Sequence, residues 1–251
     1  MVDGKPDLSG VWASADGVPG GPPVGPGPGA PPGGGPGRGP AGPPPGGAQV
    51  DVGIPRGGFQ NLAIHMTGGL LPYRPAALAL RTKRLERNSR DHPDAWCLPL
   101  NPVQLWFHPQ PRKLIQSPRE IVLLAEANSG IRQFFIDGRP LPRPDAVQPW
   151  WFGYSAAKWE GDTLVVESTG FLDDAWIDEQ GSPLSNGARI TERIRRPDYG
   201  TLEVEITVDD PGTYVRPFTV RANQRLMPDD ELIEFICGEN NTVLPHLVGG
   251  N

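Results

Sequence analysis

The chain has few of the residues from which metal centres and nucleophilic active sites are built. It contains four histidines and two cysteines in 251 residues, and no two histidines stand at the i, i+2 or i, i+4 spacing of zinc ligands. A Gly-x-Ser-x-Gly nucleophile elbow and a P-loop are also missing from the sequence. We therefore expect neither a metal nor a cofactor.

Long apolar runs and a surplus of positive charge are missing as well. No stretch of about 18 apolar residues is present, so we expect no membrane span. The formal net charge is −6 at pH 7, which leaves no basic face to bind a phosphate backbone. The short basic run over residues 81–87 is interpreted as the solvated side of a helix, so nucleic acid is not an expected partner.

The start of the chain and its cysteines bear on the compartment. No charged n-region followed by an apolar h-region is present, so either the protein is cytoplasmic or a signal peptide has been removed and replaced by Met1. Cys97 and Cys237 lie 140 positions apart, which is unlike the spacing of metal ligands. They form either a disulfide, which would close a long loop, or two separate buried thiols.

Glycine and proline dominate one segment near the N-terminus. Residues 17–47 contain 14 Gly and 12 Pro without a fixed Gly-X-Y register, and their lack of apolar side chains leaves little to offset the entropy of ordering them. The predicted organisation is an N-terminal anchor over 1–16, a flexible loop over 17–50 and a single domain over 51–251.

The domain is predicted to be mainly β, with one helix near residues 75–88. Pro75 at the first helical position and the helix formers after it favour that helix, with Leu78, Leu85 and Ala77 or Arg81 on one face. Short strands separated by turn residues follow. The candidate strands are 112–117, 120–126, 131–137, 153–159, 162–168, 188–196, 200–208, 217–227 and 231–237. Eight or nine sequential antiparallel strands close most naturally as an up-and-down barrel, with an irregular N-terminal arm.

Alternation along two strands directs one carboxylate inward. The strand over 200–208 has an apolar face that points to the interior, and its neighbour over 188–196 carries Glu192 between Ile190 and Ile194 on the corresponding face. An inward carboxylate is costly unless it is paired or protonated. Glu192 is therefore either half of a buried ion pair, with Arg132 or Arg221, or a pocket acid with a raised pKa.

Two aromatic segments predict a small-molecule pocket. The first is 150–154, with Trp151 and Tyr154, and the second is the loop 169–179, which combines Phe171 and Trp176 with aspartates that include Asp174. Aromatic loops between barrel strands often cover the mouth of a pocket and stack a flat ligand. The alternative for the second segment is a solvated acidic loop, and its spacing does not match an EF-hand calcium site.

Several motifs together resemble a family of exported bacterial proteins. They are 4–12 (GKPDLSGVW), 97–99 (CLP), 134–140 (FFIDGRP), 153–155 (GYS), 159–167 (WEGDTLVVE) and 190–193 (ITER). The resemblance implies a lipocalin-like β-barrel, oxidised cysteines and a signal peptide removed on export to the periplasm or the medium. We accordingly predict a Cys97–Cys237 disulfide. Tyr154 and Leu184 stand where that family often carries histidines, so no histidine mechanism is transferred.

The residues favour two functions that the sequence does not separate. One is a cofactor-independent acid–base enzyme (a lyase, isomerase, cyclase or hydrolase) acting on an apolar or aromatic molecule, and the other is a carrier without turnover. A structural or interaction module is the third hypothesis. The candidate acid–base groups are Glu192, Asp174 and His65, and the candidate pocket walls are Tyr154, Trp151, Trp176 and Phe171.

Overall fold

A computed structural model describes residues 4–15, 59–66 and 69–239. The predicted flexible loop over 17–50 lies outside these residues, so the division into an anchor, a loop and a domain stays a prediction. The strands are β1 (Gly10–Ser14), β2 (Arg112–Gln116), β3 (Glu120–Ala125), β4 (Gly130–Phe135), β5 (Tyr154–Glu160), β6 (Thr163–Thr169), β7 (Ala175–Trp176), β8 (Pro183–Leu184), β9 (Arg189–Arg195), β10 (Thr201–Asp209) and β11 (Phe218–Leu226). The two α-helices of the described chain are α1 (Pro75–Glu86) and α2 (Pro102–Phe107).

Nine of these strands close into a barrel, so the predicted mainly-β barrel is confirmed. Their order around the barrel is β1-β11-β10-β9-β6-β5-β4-β3-β2, while β7 and β8 form a separate two-stranded sheet. A closed ring with an odd number of strands cannot alternate in direction all the way round, so one neighbouring pair must be parallel. That pair is β4 and β5, which are in register only at Phe134–Ser155 and Phe135–Ala156. A parallel pair needs a crossover connection, and residues 136–153 provide it.

One predicted strand is wrong, and a segment near the N-terminus takes its place in the barrel. Residues 231–237 contain no strand, whereas β1 pairs with β2 on one side and with β11 on the other. The apolar pattern of 231–237 is compatible with a strand. β1 already occupies the edge of β11 that such a strand would need, so pairing across the chain decides the outcome.

The barrel interior is packed with side chains and with α2. The alternation predicted for β9 and β10 is confirmed, since Ile190, Ile194 and the apolar face of β10 are buried. All six residues of α2 are buried, and Val103, Leu105, Trp106 and Phe107 belong to the same apolar core. Asn101 and Gln104 form a capping box that starts this helix, which the prediction of a single helix near residues 75–88 did not include.

Helix α1 forms where predicted, but only part of its predicted face is buried. Leu78 is 40% exposed, whereas Ala77 and Arg84 are buried. The Arg84 guanidinium donates to the carbonyl oxygens of Gly181 and Asp174, so this helix packs against polar backbone as well as apolar side chains. The described helices include none with the length and apolar character needed to cross a membrane.

The predicted disulfide is confirmed. The sulfur atoms of Cys97 and Cys237 are 2.10 Å apart, and their Cα atoms are 5.4 Å apart. The bond joins the segment that precedes α2 to the segment that follows β11. It therefore connects two irregular segments that flank the sequence from α2 to β11.

Candidate functional site

A groove with aromatic walls lies along the junction of β4 and β5. We call it the seam groove, and its volume is about 440 Å³. Its aromatic side chains are Phe135, Trp150, Trp151, Phe152 and Tyr154, and Ile131 and Leu172 add aliphatic surface. Residues 130–133 of β4 have no register partner in β5, because the described pairing of the two strands covers two positions only. The groove occupies the place where the wall of the barrel is least tightly paired.

The aromatic rings on the outer side of the groove form a tilted row. The Phe135 and Tyr154 ring centroids are 5.4 Å apart, and those of Trp150 and Tyr154 are 6.3 Å apart, with interplanar angles of 33° and 37°. The Arg139 guanidinium lies 3.8 Å from the Phe135 centroid and donates to the Tyr154 hydroxyl. Trp150 is 51% exposed although it packs in this row. Such a row offers π-faces to a flat ligand.

The crossover is held in place by backbone contacts with the chain that follows β6. The Trp150 N–H donates to the Gly170 carbonyl, and the Leu172 N–H donates to the Trp150 carbonyl. Gly153 follows with a φ of +64°. A Cβ atom at Gly153 would lie 2.6 Å from both the Thr169 carbonyl oxygen and the Phe171 ring, so only glycine fits at this turn.

Replacing Gly153 with alanine should lower the free energy of unfolding by roughly 2–4 kcal/mol, since a left-handed residue and a backbone clash add together. Urea denaturation of the variant would measure this loss. Gly161→Ala is the matched control, because Gly161 also has a positive φ but its Cβ would meet nothing within 4 Å. If the two variants lost equal stability, the close approach at Gly153 would contribute nothing.

A buried ion pair lies behind the seam groove. Arg132 donates through Nη1 to Glu192 Oε1 at 2.9 Å and through Nη2 to Oε2 at 2.6 Å, and both side chains are at most 1% exposed. The Trp106 indole N–H also donates to Glu192 Oε1. Arg132 lines the groove as well, so it connects the groove to the core. Of the alternatives for Glu192, the structure shows the ion pair with Arg132, while Arg221 pairs with Glu205 at the surface.

Two serines share the region behind the groove with that ion pair. The Ser155 and Ser168 hydroxyl oxygens are 2.7 Å apart, and Arg132 Nη2 lies 3.4 Å from Ser168 Oγ. Both serines are buried, and Ser155 also lines the groove. The base of the groove, defined by Arg132 and Ser155, is therefore polar although its walls are aromatic.

The structure places the candidate pocket walls in two locations. Tyr154 and Trp151 line the seam groove. Phe171 is fully buried in the core beneath Gly153. Trp176 is 5% exposed and packs under the Arg84 guanidinium, whose central carbon is 4.3 Å from its ring centroid. The loop 169–179 therefore contributes Leu172 to the groove, while its two predicted aromatic walls pack into the protein.

The three candidate acid–base groups occupy three different environments. Glu192 is fully buried in the ion pair with Arg132. Asp174 is exposed, and its carbonyl oxygen accepts from Arg84 Nη2. The His65 ring packs against Phe107, with 5.0 Å between the ring centroids. Their proposed roles stay predictions, and Glu192 alone is linked to the groove, through Arg132.

Three further buried basic side chains, Arg112, His92 and His108, lie near the end of α2. Arg112 is fully buried and donates to the carbonyl oxygens of Trp106, His108 and Gln110 and to the Gln224 side chain, and burial lowers its pKa to about 9. Burial also lowers the pKa of His92 to about 4 and that of His108 to about 3. Both imidazoles are therefore uncharged at pH 7. These groups hold the end of α2 against the barrel.

Sequence reasoning missed half of the groove. Phe135 and Ile131 lie on the outward face of β4, where apolar residues would be expected to pack against another element. Ser155 and Ser168 occupy inward positions in β5 and β6, and two hydroxyls that face a barrel interior are a detectable signal. Within the described residues, no group of three or more His, Cys, Asp or Glu side chains is arranged to hold a metal ion.

A second concavity, of about 450 Å³, lies on the outer face of β6, β9, β10 and β11. Its charged side chains pair with one another, as in Arg195–Glu203 and Arg221–Glu205, and these side chains are 38% or more exposed. Exposed ion pairs of this kind form an ordinary solvated sheet face. The seam groove is therefore the stronger candidate site.

Comparisons of the chain with protein-family models, with curated proteins and with solved structures found no match. The candidate function follows from the geometry of the barrel and of the seam groove.

Proposed function

We propose that this protein binds a small, flat, apolar or aromatic molecule in the seam groove. The observation that carries the proposal is the row of aromatic side chains around a groove of about 440 Å³ at the parallel junction of the barrel. That volume falls in the range of small-molecule sites, which combine apolar walls with a few polar groups. Arg132 and Ser155 are the polar groups at the base.

The barrel interior is a weaker candidate for the ligand site. Buried side chains of α2 and of the strands share one continuous apolar core, and Trp106 extends from α2 to Glu192 in the middle of β9. A ligand inside the barrel would have to displace α2. The groove needs no such rearrangement.

Binding without turnover is favoured over acid–base catalysis. Both Glu192 oxygens accept hydrogen bonds from Arg132, and Oε1 accepts a further one from Trp106. A general base needs an oxygen within hydrogen-bond reach of the ligand proton. Catalysis is the second candidate, because Arg132 contacts both Glu192 and the groove and so connects a carboxylate to the ligand site.

We also infer that the protein belongs to the exported bacterial family that its motifs resemble and that it functions in the periplasm or the medium. The Cys97–Cys237 disulfide supports an oxidising compartment, since such bonds are rare in the cytosol. Expression with and without a secretory signal peptide, followed by a thiol count, tests this. A natively expressed protein with two free thiols would contradict it.

Trp150→Ala should weaken the binding of naphthalene, used as a flat apolar probe, by roughly 10-fold, because the variant removes aromatic contact and buried area. Isothermal titration or tryptophan fluorescence would measure the dissociation constant. Tyr199→Ala is the matched control, since Tyr199 is an aromatic residue with 75% exposure that does not line the groove. Equal loss in both variants, or no naphthalene binding to the wild type, would contradict the proposed function.

A further inference from the structure

We propose that the ligand of the seam groove carries a neutral carbonyl-type oxygen, which accepts the Nε–H of Arg132 at the base of the groove. This inference rests on the proposed binding function and specifies its ligand class. Flat aromatic ketones, quinones, lactones and esters have this combination of a planar ring system and an uncharged acceptor.

Of the three guanidinium nitrogens of Arg132, Nε is the one that donates to no described residue. Its Nη1 and Nη2 atoms donate to the two Glu192 oxygens, and Nη2 also approaches Ser168. The Nε–H has no acceptor among the described residues, although Arg132 is only 2% exposed. The buried Nε–H groups of Arg81, Arg112 and Arg225 also have no acceptor among the described residues, but Arg132 is the one of these four arginines that lines the seam groove. Because buried donors are nearly always satisfied, the Arg132 Nε–H is the group for which a ligand in the groove would supply the acceptor.

The gap in strand pairing brings the groove to this donor. Arg132 and Ser155 both belong to the buried faces of their strands, yet both line the groove from opposite sides of the seam. The groove therefore reaches past the outward side chains of the wall to its inward-facing residues. The Ser155 hydroxyl, which pairs with Ser168, lies on the other side of the same base and adds a second polar contact for an acceptor oxygen.

The charges around the groove favour a neutral acceptor over a carboxylate. Arg132 is the one charged residue that lines the groove within the described chain, and Glu192 already neutralises it. At the rim, Arg139 is neutralised by Asp137. A carboxylate on the ligand would approach the buried Glu192 carboxylate without an unpaired cation to compensate. An uncharged carbonyl accepts the N–H without that repulsion.

Three probes with the same ring system separate these possibilities: naphthalene, 2-acetonaphthone and 2-naphthoate. We expect wild-type protein to bind 2-acetonaphthone about 10-fold or more tightly than naphthalene, as a hydrogen bond from a charged donor gives. Transfer from water to an apolar site is less favourable for the more water-soluble ketone than for naphthalene. Tighter binding of the ketone would therefore report the hydrogen bond. We expect 2-naphthoate to bind more weakly than the ketone.

The outcomes distinguish this inference from the proposed function. Equal affinities for naphthalene and 2-acetonaphthone would overturn the inference and leave the proposed function standing. Tightest binding of 2-naphthoate would overturn the neutral-acceptor assignment in favour of an anion. Absence of binding for all three probes would overturn both proposals.

Two further measurements identify Arg132 as the donor. In the double variant Arg132→Met/Glu192→Leu, the ratio of the naphthalene and 2-acetonaphthone dissociation constants should fall to within about 2-fold, because this variant removes the donor together with its partner. The second measurement is independent of any variant's folding. The arginine Nε–H resonance of Arg132 in the wild-type NMR spectrum should shift on addition of 2-acetonaphthone and stay in place with naphthalene, and an unmoved resonance with the ketone bound would overturn the inference.

Discussion

Glu192→Gln should lower the free energy of unfolding by about 3–5 kcal/mol, the typical cost of removing one partner from a buried ion pair. The amide preserves the volume of the side chain but leaves the Arg132 guanidinium uncompensated in the core, where its side chain is 1% exposed. It also replaces one acceptor oxygen by an N–H group that faces donors from Arg132 and Trp106. Urea denaturation followed by circular dichroism would measure the loss.

The double variant Arg132→Met/Glu192→Leu is the matched control for the ion pair. It removes both charges and fills the site with apolar side chains of similar size, so it should recover most of the stability that Glu192→Gln loses. A Glu192→Gln variant with wild-type stability would contradict the assignment of Glu192 as a structural ion-pair partner. It would return this carboxylate to the list of candidate catalytic groups.

Removing the Cys97–Cys237 disulfide should cost about 2–4 kcal/mol. A crosslink across 140 positions restricts the unfolded chain, which the chain-entropy model values at about 4–5 kcal/mol for a loop of this length. The native state offsets part of that value, because few contacts hold the segment after β11. The Met227 N–H donates to the Val11 carbonyl, Lys113 pairs with Glu231 and the Ile233 N–H donates to Glu126, while the Ile233 and Ile236 side chains are exposed. Without the bond, this segment gains freedom in the folded protein too.

Thermal unfolding of the Cys97→Ser/Cys237→Ser double variant would measure this effect. The wild-type protein should show a similar decrease in Tm when a reductant is added, whereas the double variant should be insensitive to the reductant. A wild-type Tm that is unchanged after complete reduction, confirmed by a thiol count, would show that the disulfide contributes nothing to stability.

The residues themselves were sufficient to predict the class of fold and much of its local structure. Alternation of apolar and polar side chains sets which face of β9 and β10 is buried, because consecutive side chains in a strand point to opposite sides. The same alternation placed Glu192 inside the barrel. Pro75 and the helix formers after it placed α1, and the aromatic cluster at 150–154 identified part of the groove. All of these are short-range patterns.

Features that depend on pairing between distant segments could not be obtained in this way. Whether β1 or residues 231–237 completes the barrel depends on competition for one edge of β11. The closing of nine strands requires a parallel pair, and the strand order places it at β4 and β5. Glu192 pairs with Arg132 rather than Arg221 because both side chains point into the barrel. Arg132 lies on β4 and Glu192 on β9, which are not adjacent strands, so their contact across the interior depends on the strand order. The chain therefore determined which side chains turn inward, and the closed barrel decided which of them meet, because contact across a barrel is set by strand order and register.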